Sequence, residues 1–191
     1  MIAVRGSGRL AQALGLRMTP WFIATERFSP EDAGWGKYMA WSKLTQLDEV
    51  VSLDPMLCPP ILRNIEDEYW PHIVNEDFML NYFTDLDYLI SKVAGVERKN
   101  LLCVYRNPGK QPIAPTPLFE FLGYDLVDTL GSASALTNCG GFPEVFSNSE
   151  LSSKGLLLSH ERAAQVQSEL RRTGLDHSDC HLWAIFRAAG P

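Results

Sequence analysis

One stretch of the sequence combines a thiol with glycines and could support covalent chemistry. In the run 138–143, Asn-Cys-Gly-Gly-Phe-Pro, the thiol is that of Cys139. Adjacent glycines let backbone N–H groups point at an anion, and a nearby imidazole would make the thiol nucleophilic. His160, His177 and His181 are the available bases. No signature of a cysteine protease, phosphatase or transferase surrounds Cys139, so a glycine-bearing turn beside a buried cysteine is the competing interpretation.

The run from His177 to His181 places imidazole, carboxylate and thiol groups close together in the chain. All three are zinc ligands in proteins. The chain has no second C-x-x-C or H-x-x-x-H pair that would complete a common structural site. On a strand, Asp179 and His181 would lie on one face and Cys180 on the other. We therefore predict no metal site and no cofactor.

The segment between Asn64 and Ser91 is acidic and contains no Lys or Arg. Its carboxylates and two aromatic neighbours are Glu66, Asp67, Glu68, Tyr69, Trp70, Glu76, Asp77, Asp85 and Asp87. Uncompensated charges of this density are tolerated when water or a cationic partner surrounds them. Aromatic side chains supply the contact area typical of interface hot spots. The segment predicts a binding face for a basic protein, and a solvated surface whose aromatic residues point into the core is the alternative.

Start and stop signals indicate the elements that must position these residues. Predicted helices run from about Ser29 to Leu47, from the capping run Thr84–Asp87 to Gly95, and from Ser159 to Gly174. Predicted strands are Val50–Leu57, Ile61–Ile65, Leu101–Tyr105, Leu118–Val127 with a bulge at Gly123, and a late central strand over Cys180–Arg187. Strands and helices do not alternate strictly. We therefore expect an α+β fold with one mixed or antiparallel sheet and about three helices.

Length and composition are those of one globular domain. The chain has 191 residues, of which 46% are hydrophobic and 21% charged, and it contains no internal repeat. Residues 1–17 contain three arginines and no acid, so we predict that they are disordered or a mis-assigned extension before a start at Met18. The domain is expected to cover residues 18–191. We expect a cytoplasmic location, because the chain shows no export signal, and free thiols at its scattered cysteines.

Charge limits the classes of partner. The formal charge is −6 for the whole chain, and −9 once the three arginines of residues 1–17 are left out. Nucleic acid binding requires clustered Lys and Arg, and a membrane span requires a long apolar run; neither occurs. Two hypotheses remain open. The chain is either a non-catalytic binding module, such as an inhibitor or immunity protein that neutralises a basic toxin or enzyme, or a cysteine-dependent hydrolase or transferase built on Cys139.

Overall fold

The computed structural model describes residues 18–64, 66–77, 80–138, 142 and 144–189. Its strands are β1 (Trp21–Glu26), β2 (Ile73–Asp77), β3 (Leu80–Phe83), β4 (Lys99–Arg106), β5 (Phe119–Asp128) and β6 (Cys180–Ala188). Its α-helices are α1 (Trp35–Ser42), α2 (Leu86–Val93) and α3 (His160–Thr173), and 3-10 helices span Asp67–His72 and Asn148–Glu150.

The six strands form one sheet in the order β2-β3-β1-β4-β6-β5, and every pairing among the described residues is antiparallel. Three α-helices accompany it, so the α+β single-domain prediction is confirmed. β6 lies between β4 and β5, as expected for a late central strand, and its residue Ile185 is fully buried. The last strand therefore completes the middle of the sheet and not an edge.

Apolar side chains cover both faces of the sheet. On one face, α2 packs against β1 and α3 packs against β5 and β6. The second face is covered by loop residues, among them Val51, Leu53 and Leu156, which contact the buried side of β4 and β6. Both faces exclude water, which explains why the strand over Leu101–Tyr105 reads as a continuous apolar run.

Several local predictions are confirmed. Asp85 is the N-cap of α2 and accepts a hydrogen bond from Tyr88 N, and Ser159 caps α3 before Gly174 closes it in the left-handed conformation. Gly123 lies at a bulge in β5 with φ of +145°. A Cβ at this position would lie 2.8 Å from both Leu156 Cβ and Leu157 O, so only glycine fits.

Other predictions are wrong. The first helix begins at Trp35 and not near Ser29, because the Asp32 carboxylate accepts a hydrogen bond from Ser29 N at 2.8 Å and closes a separate turn. Val50–Leu57 is no strand; it makes a single bridge at Val50 and continues as a loop. The described residues 61–64 are a loop as well.

Strands β1, β2 and β3 were not expected from the sequence. Phe78 and Met79, the two residues between β2 and β3, are not the Asn-Gly or glycine-rich pairs that mark a hairpin. The prediction for residues 1–17 lies outside the described part of the chain. No helix within the described residues has the length and apolar character needed to cross a bilayer.

Candidate functional site

The acidic segment contains the 3-10 helix Asp67–His72, β2, β3 and the first part of α2, and the 3-10 helix packs against α2. The His72 imidazole stacks on the Tyr88 ring with 3.9 Å between centroids. The Tyr88 hydroxyl donates to Glu68 O at 3.3 Å, and Thr84 N donates to His72 O at 2.8 Å. Carboxylates from both ends of the segment therefore belong to neighbouring elements.

Adjacent aromatic residues of the 3-10 helix have opposite environments. Tyr69 is 5% exposed and packs edge-on against Phe83 with 5.8 Å between ring centroids, whereas Trp70 is 58% exposed. Tyr82 is buried as well. Because its ring belongs to the core, Tyr69 leaves little surface for a partner to contact. Trp70 is the residue of this pair that a partner could contact.

Four exposed carboxylates share these two elements with Trp70: Glu66, Asp67, Asp85 and Asp87. Within the described residues, no Lys or Arg lies within ion-pair distance of any of them, and the basic side chain that approaches one of them is the His72 imidazole, whose Nδ1 lies 3.5 Å from Asp85 Oδ2. We call Trp70 and these four carboxylates the acidic face. Lys and Arg side chains of the described residues do not neutralise its negative charge, which distinguishes it from an ordinary surface of alternating charges.

Three further members of the predicted set either have a local partner or have side chains outside the described residues. Glu68 binds Lys92 Nζ at 2.6 Å, and this ion pair lowers the pKa of Glu68. Lys92 lies just beyond the base-free stretch, so sequence reasoning counted Glu68 as uncompensated. The side chains of Glu76 and Asp77 lie outside the described residues; their backbone forms part of β2.

The candidate nucleophile Cys139 lies outside the described residues, so the enzyme hypothesis stays a prediction. Two of its candidate bases flank the turn after β4. His160 Nε2 lies 2.8 Å from Pro108 O and must carry the proton that this contact requires. His181 Nδ1 lies 3.1 Å from the amide nitrogen of Asn107. Burial, followed by nearby guanidinium groups, lowers the pKa of His181 and favours the neutral imidazole.

The third candidate base is held by a carboxylate. His177 Nδ1 lies 2.6 Å from Asp128 Oδ2, and Ser132 donates to the same carboxylate. Burial acts to raise the pKa of Asp128, but the hydrogen bonds from Ser132 and His177 outweigh it and the pKa is lowered. No group of three His, Cys, Asp or Glu side chains in the described residues could hold a metal ion.

A network of buried polar side chains includes Asn138, the residue that precedes Cys139. Asp125 accepts hydrogen bonds from Ser52 Oγ at 2.5 Å and Ser134 Oγ at 2.6 Å. Asp54 accepts them from Ser134 N at 2.9 Å and Asn138 Nδ2 at 2.8 Å. Both carboxylates are fully buried, and burial raises the pKa of Asp125. The network joins three distant segments and is a structural feature of the domain.

An open pocket of about 390 Å³ lies elsewhere, around the buried carboxylate of Glu49. Glu49 contacts Arg27 at 2.8 Å, Lys154 at 2.7 Å and Arg187 at 2.8 Å. The remaining charged residues that line the pocket are Glu31, Asp48 and Arg98, and Arg98 contacts Glu31 at 3.3 Å. Because its cations and anions neutralise one another, this pocket attracts a charged partner less than the acidic face does.

Comparison with models of known protein families, with curated proteins and with solved structures finds no match for this chain. Function is therefore inferred from the geometry of the site. Sequence reasoning located the acidic segment but missed Lys92, the ion cluster at Glu49 and the network of Asp54 and Asp125. Partners separated widely along the chain leave no local sequence signal.

Proposed function

We propose that this protein is a non-catalytic binding module whose acidic face holds a basic protein. Its most concrete form is a cytoplasmic inhibitor or immunity-type protein that neutralises a basic toxin or enzyme. The observation that carries the proposal is the acidic face itself: beside the exposed ring of Trp70 lie four exposed carboxylates that have no Lys or Arg within ion-pair distance among the described residues.

Each part of the acidic face has a distinct physical role in such binding. Its carboxylates attract a basic surface over distance and so raise the association rate, while the net negative charge of the chain adds to the field. Trp70 supplies a large ring that loses its water only in the complex, which slows dissociation. The ion pair of Glu68 with Lys92 and the buried ring of Tyr69 hold the 3-10 helix in place.

The test is a pull-down from native host extract with matched baits, followed by kinetics on the captured protein. One variant reverses charge at two positions, Glu66→Lys with Asp67→Lys, and leaves Glu68 unchanged so that its pair with Lys92 survives. A second is Trp70→Ala. The control reverses two other exposed acids, Glu144→Lys with Asp176→Lys, and so has the same net charge as the first variant.

We expect the wild type and the control to capture the same basic protein. Reversal at the acidic face should slow association by roughly ten-fold at low salt, and Trp70→Ala should raise the dissociation rate by roughly ten-fold or more. Circular dichroism and unfolding curves establish that each variant is folded. Equal rates for the wild type and both folded face variants would contradict the proposal.

A further inference from the structure

The two edges of the sheet differ in how their backbone groups are satisfied. At the β5 edge, Tyr124 and Leu157 exchange hydrogen bonds of 2.7 and 3.0 Å, and Ala135 N donates to Leu126 O at 2.7 Å. Loop segments therefore cover that edge. At the other edge, β2 pairs with β3 alone within the described residues. Unpaired strand edges present backbone N–H and C=O groups to any chain that can align with them.

The register shows which groups of β2 point outward. Ile73 lies opposite Phe83, and Thr84 N donates to His72 O at 2.8 Å. In an antiparallel ladder, a hydrogen bond between the residues that flank a pair means that the pair itself exchanges no hydrogen bonds. Because His72 and Thr84 flank Ile73 and Phe83, the N–H and C=O of Ile73 point away from β3. The register then shifts before Asp77, which marks a bulge in β2.

This open edge continues directly from the acidic face. Ile73, the first residue of β2, follows His72, the last residue of the 3-10 helix that carries Trp70. The strand sequence Ile-Val-Asn-Glu-Asp adds two acids and no base. Proteins often protect an edge strand with lysine, whereas the exposed carboxylates of the adjoining acidic face would repel an acidic edge and attract a basic one.

We propose that the partner presents a basic strand, which extends the sheet by pairing with the open edge of β2 while its Lys or Arg side chains contact the acidic face. The inference rests on the proposed function and specifies its mode of recognition, in which main-chain hydrogen bonds hold the partner and alternate side chains select for positive charge.

The probe is a ten-residue peptide that alternates lysine and valine, tested on the full chain at low salt. Two control peptides are used: one with every backbone nitrogen methylated, which keeps the charge but cannot donate main-chain hydrogen bonds, and one with glutamate in place of lysine. Affinity is measured by fluorescence anisotropy, and amide hydrogen exchange is followed by NMR at Ile73 with and without peptide. Ile73 N–H is informative because it does not bond to β3.

The Lys-Val peptide should bind, slow exchange at Ile73 by roughly ten-fold or more, and bind roughly ten-fold more tightly than its methylated form. The Glu-Val peptide should not bind. Equal binding of the methylated peptide, or unchanged exchange at Ile73 in the bound state, would overturn strand addition. Suppose that the methylated peptide binds the wild type as tightly as the Lys-Val peptide does, while neither binds the Glu66→Lys, Asp67→Lys variant. That result would support the acidic face as the binding site and would contradict only the inference about the strand edge. Failure of every peptide to bind overturns the edge inference, while the proposed function is judged separately on the native partner.

Discussion

Carboxylates occur in this protein in two contrasting regions. In the network of Asp54 and Asp125, both groups are fully buried and each accepts several hydrogen bonds from loop residues. On the acidic face, Glu66, Asp67 and Asp87 are exposed and have no cationic partner among the described residues. Burying a carboxylate costs several kcal/mol unless hydrogen bonds replace its water. The exposed carboxylates of the acidic face can attract another molecule, whereas the buried ones are occupied by hydrogen-bond donors of the domain itself. The presence or absence of local donors therefore distinguishes carboxylates that support the fold from carboxylates that could bind a partner.

The largest expected effect comes from removing a buried carboxylate. Asp125→Ala should lower the free energy of unfolding by about 3–5 kcal/mol, because donors on Ser52, Ser134 and two backbone amides lose their acceptor in a dry interior. Glu66→Ala is the matched exposed change, and it should alter stability by less than about 1 kcal/mol. Urea denaturation of both variants measures the difference. Similar losses from both variants would remove the distinction between the two regions.

The same contrast exists between neighbouring aromatic residues of the 3-10 helix. Tyr69→Ala should lower the free energy of unfolding by about 3–4 kcal/mol, since it removes a ring that packs against Phe83 in the core. Trp70→Ala should cost less, about 1–2 kcal/mol, because more than half of its surface is already in water. Thermal and urea unfolding test both variants. A large loss from Trp70→Ala would show that this ring supports the fold.

Glu49 is a buried carboxylate whose contribution to stability should depend on pH. Burial acts to raise its pKa, but hydrogen bonds with Lys154, Arg27 and Arg187 outweigh it and lower the pKa from 4.5 to about 2. A lowered pKa means that the ionised form stabilises the fold above pH 4.5 and that this stability is lost as pH falls towards 2.

The size of the effect follows from the same difference in pKa. The stabilisation amounts to about 3 kcal/mol, so Glu49→Gln should be less stable than the wild type by about 2–3 kcal/mol at neutral pH. The gap should close as pH falls towards 2. Unfolding free energies of both proteins between neutral and acidic pH provide the measurement. A gap that stays constant with pH would show that Glu49 contributes through packing and not through charge.

Elements with local signals were predictable from the sequence. The capping residues Asp85 and Ser159 fixed the starts of α2 and α3, and Gly123 indicated the bulge, because each acts on neighbours a few residues away. The predicted start of the first helix was wrong because Asp32 contacts Ser29 and also Arg98, which is distant in sequence. The β2–β3 hairpin lacked a recognisable turn pair.

The candidate site was predictable in composition but not in geometry. The excess of acids identified the segment, yet nothing local separated Tyr69 from Trp70, since both are aromatic and adjacent. Which of the two enters the core depends on the packing of Phe83 and Tyr88 against the 3-10 helix. The compensation of Glu68 likewise depends on Lys92, which the fold brings close.

The smallest expected change in stability, and the most selective change in binding, comes from neutralising the acidic face. Glu66→Gln with Asp67→Asn should leave the free energy of unfolding within about 0.5 kcal/mol of the wild type, because neither carboxylate forms an ion pair within the part of the chain that the structure describes. Association with the basic partner should slow a few-fold at low salt, where the screening length is about 10 Å or longer, and should match the wild type near 1 M salt, where it is about 3 Å. Glu144→Gln with Asp176→Asn is the control of equal charge. Stopped-flow measurements across a salt series test this directly. If Glu66 and Asp67 had a purely structural role, the variant would be less stable at every salt concentration, and its association rate would depend on salt as the wild-type rate does.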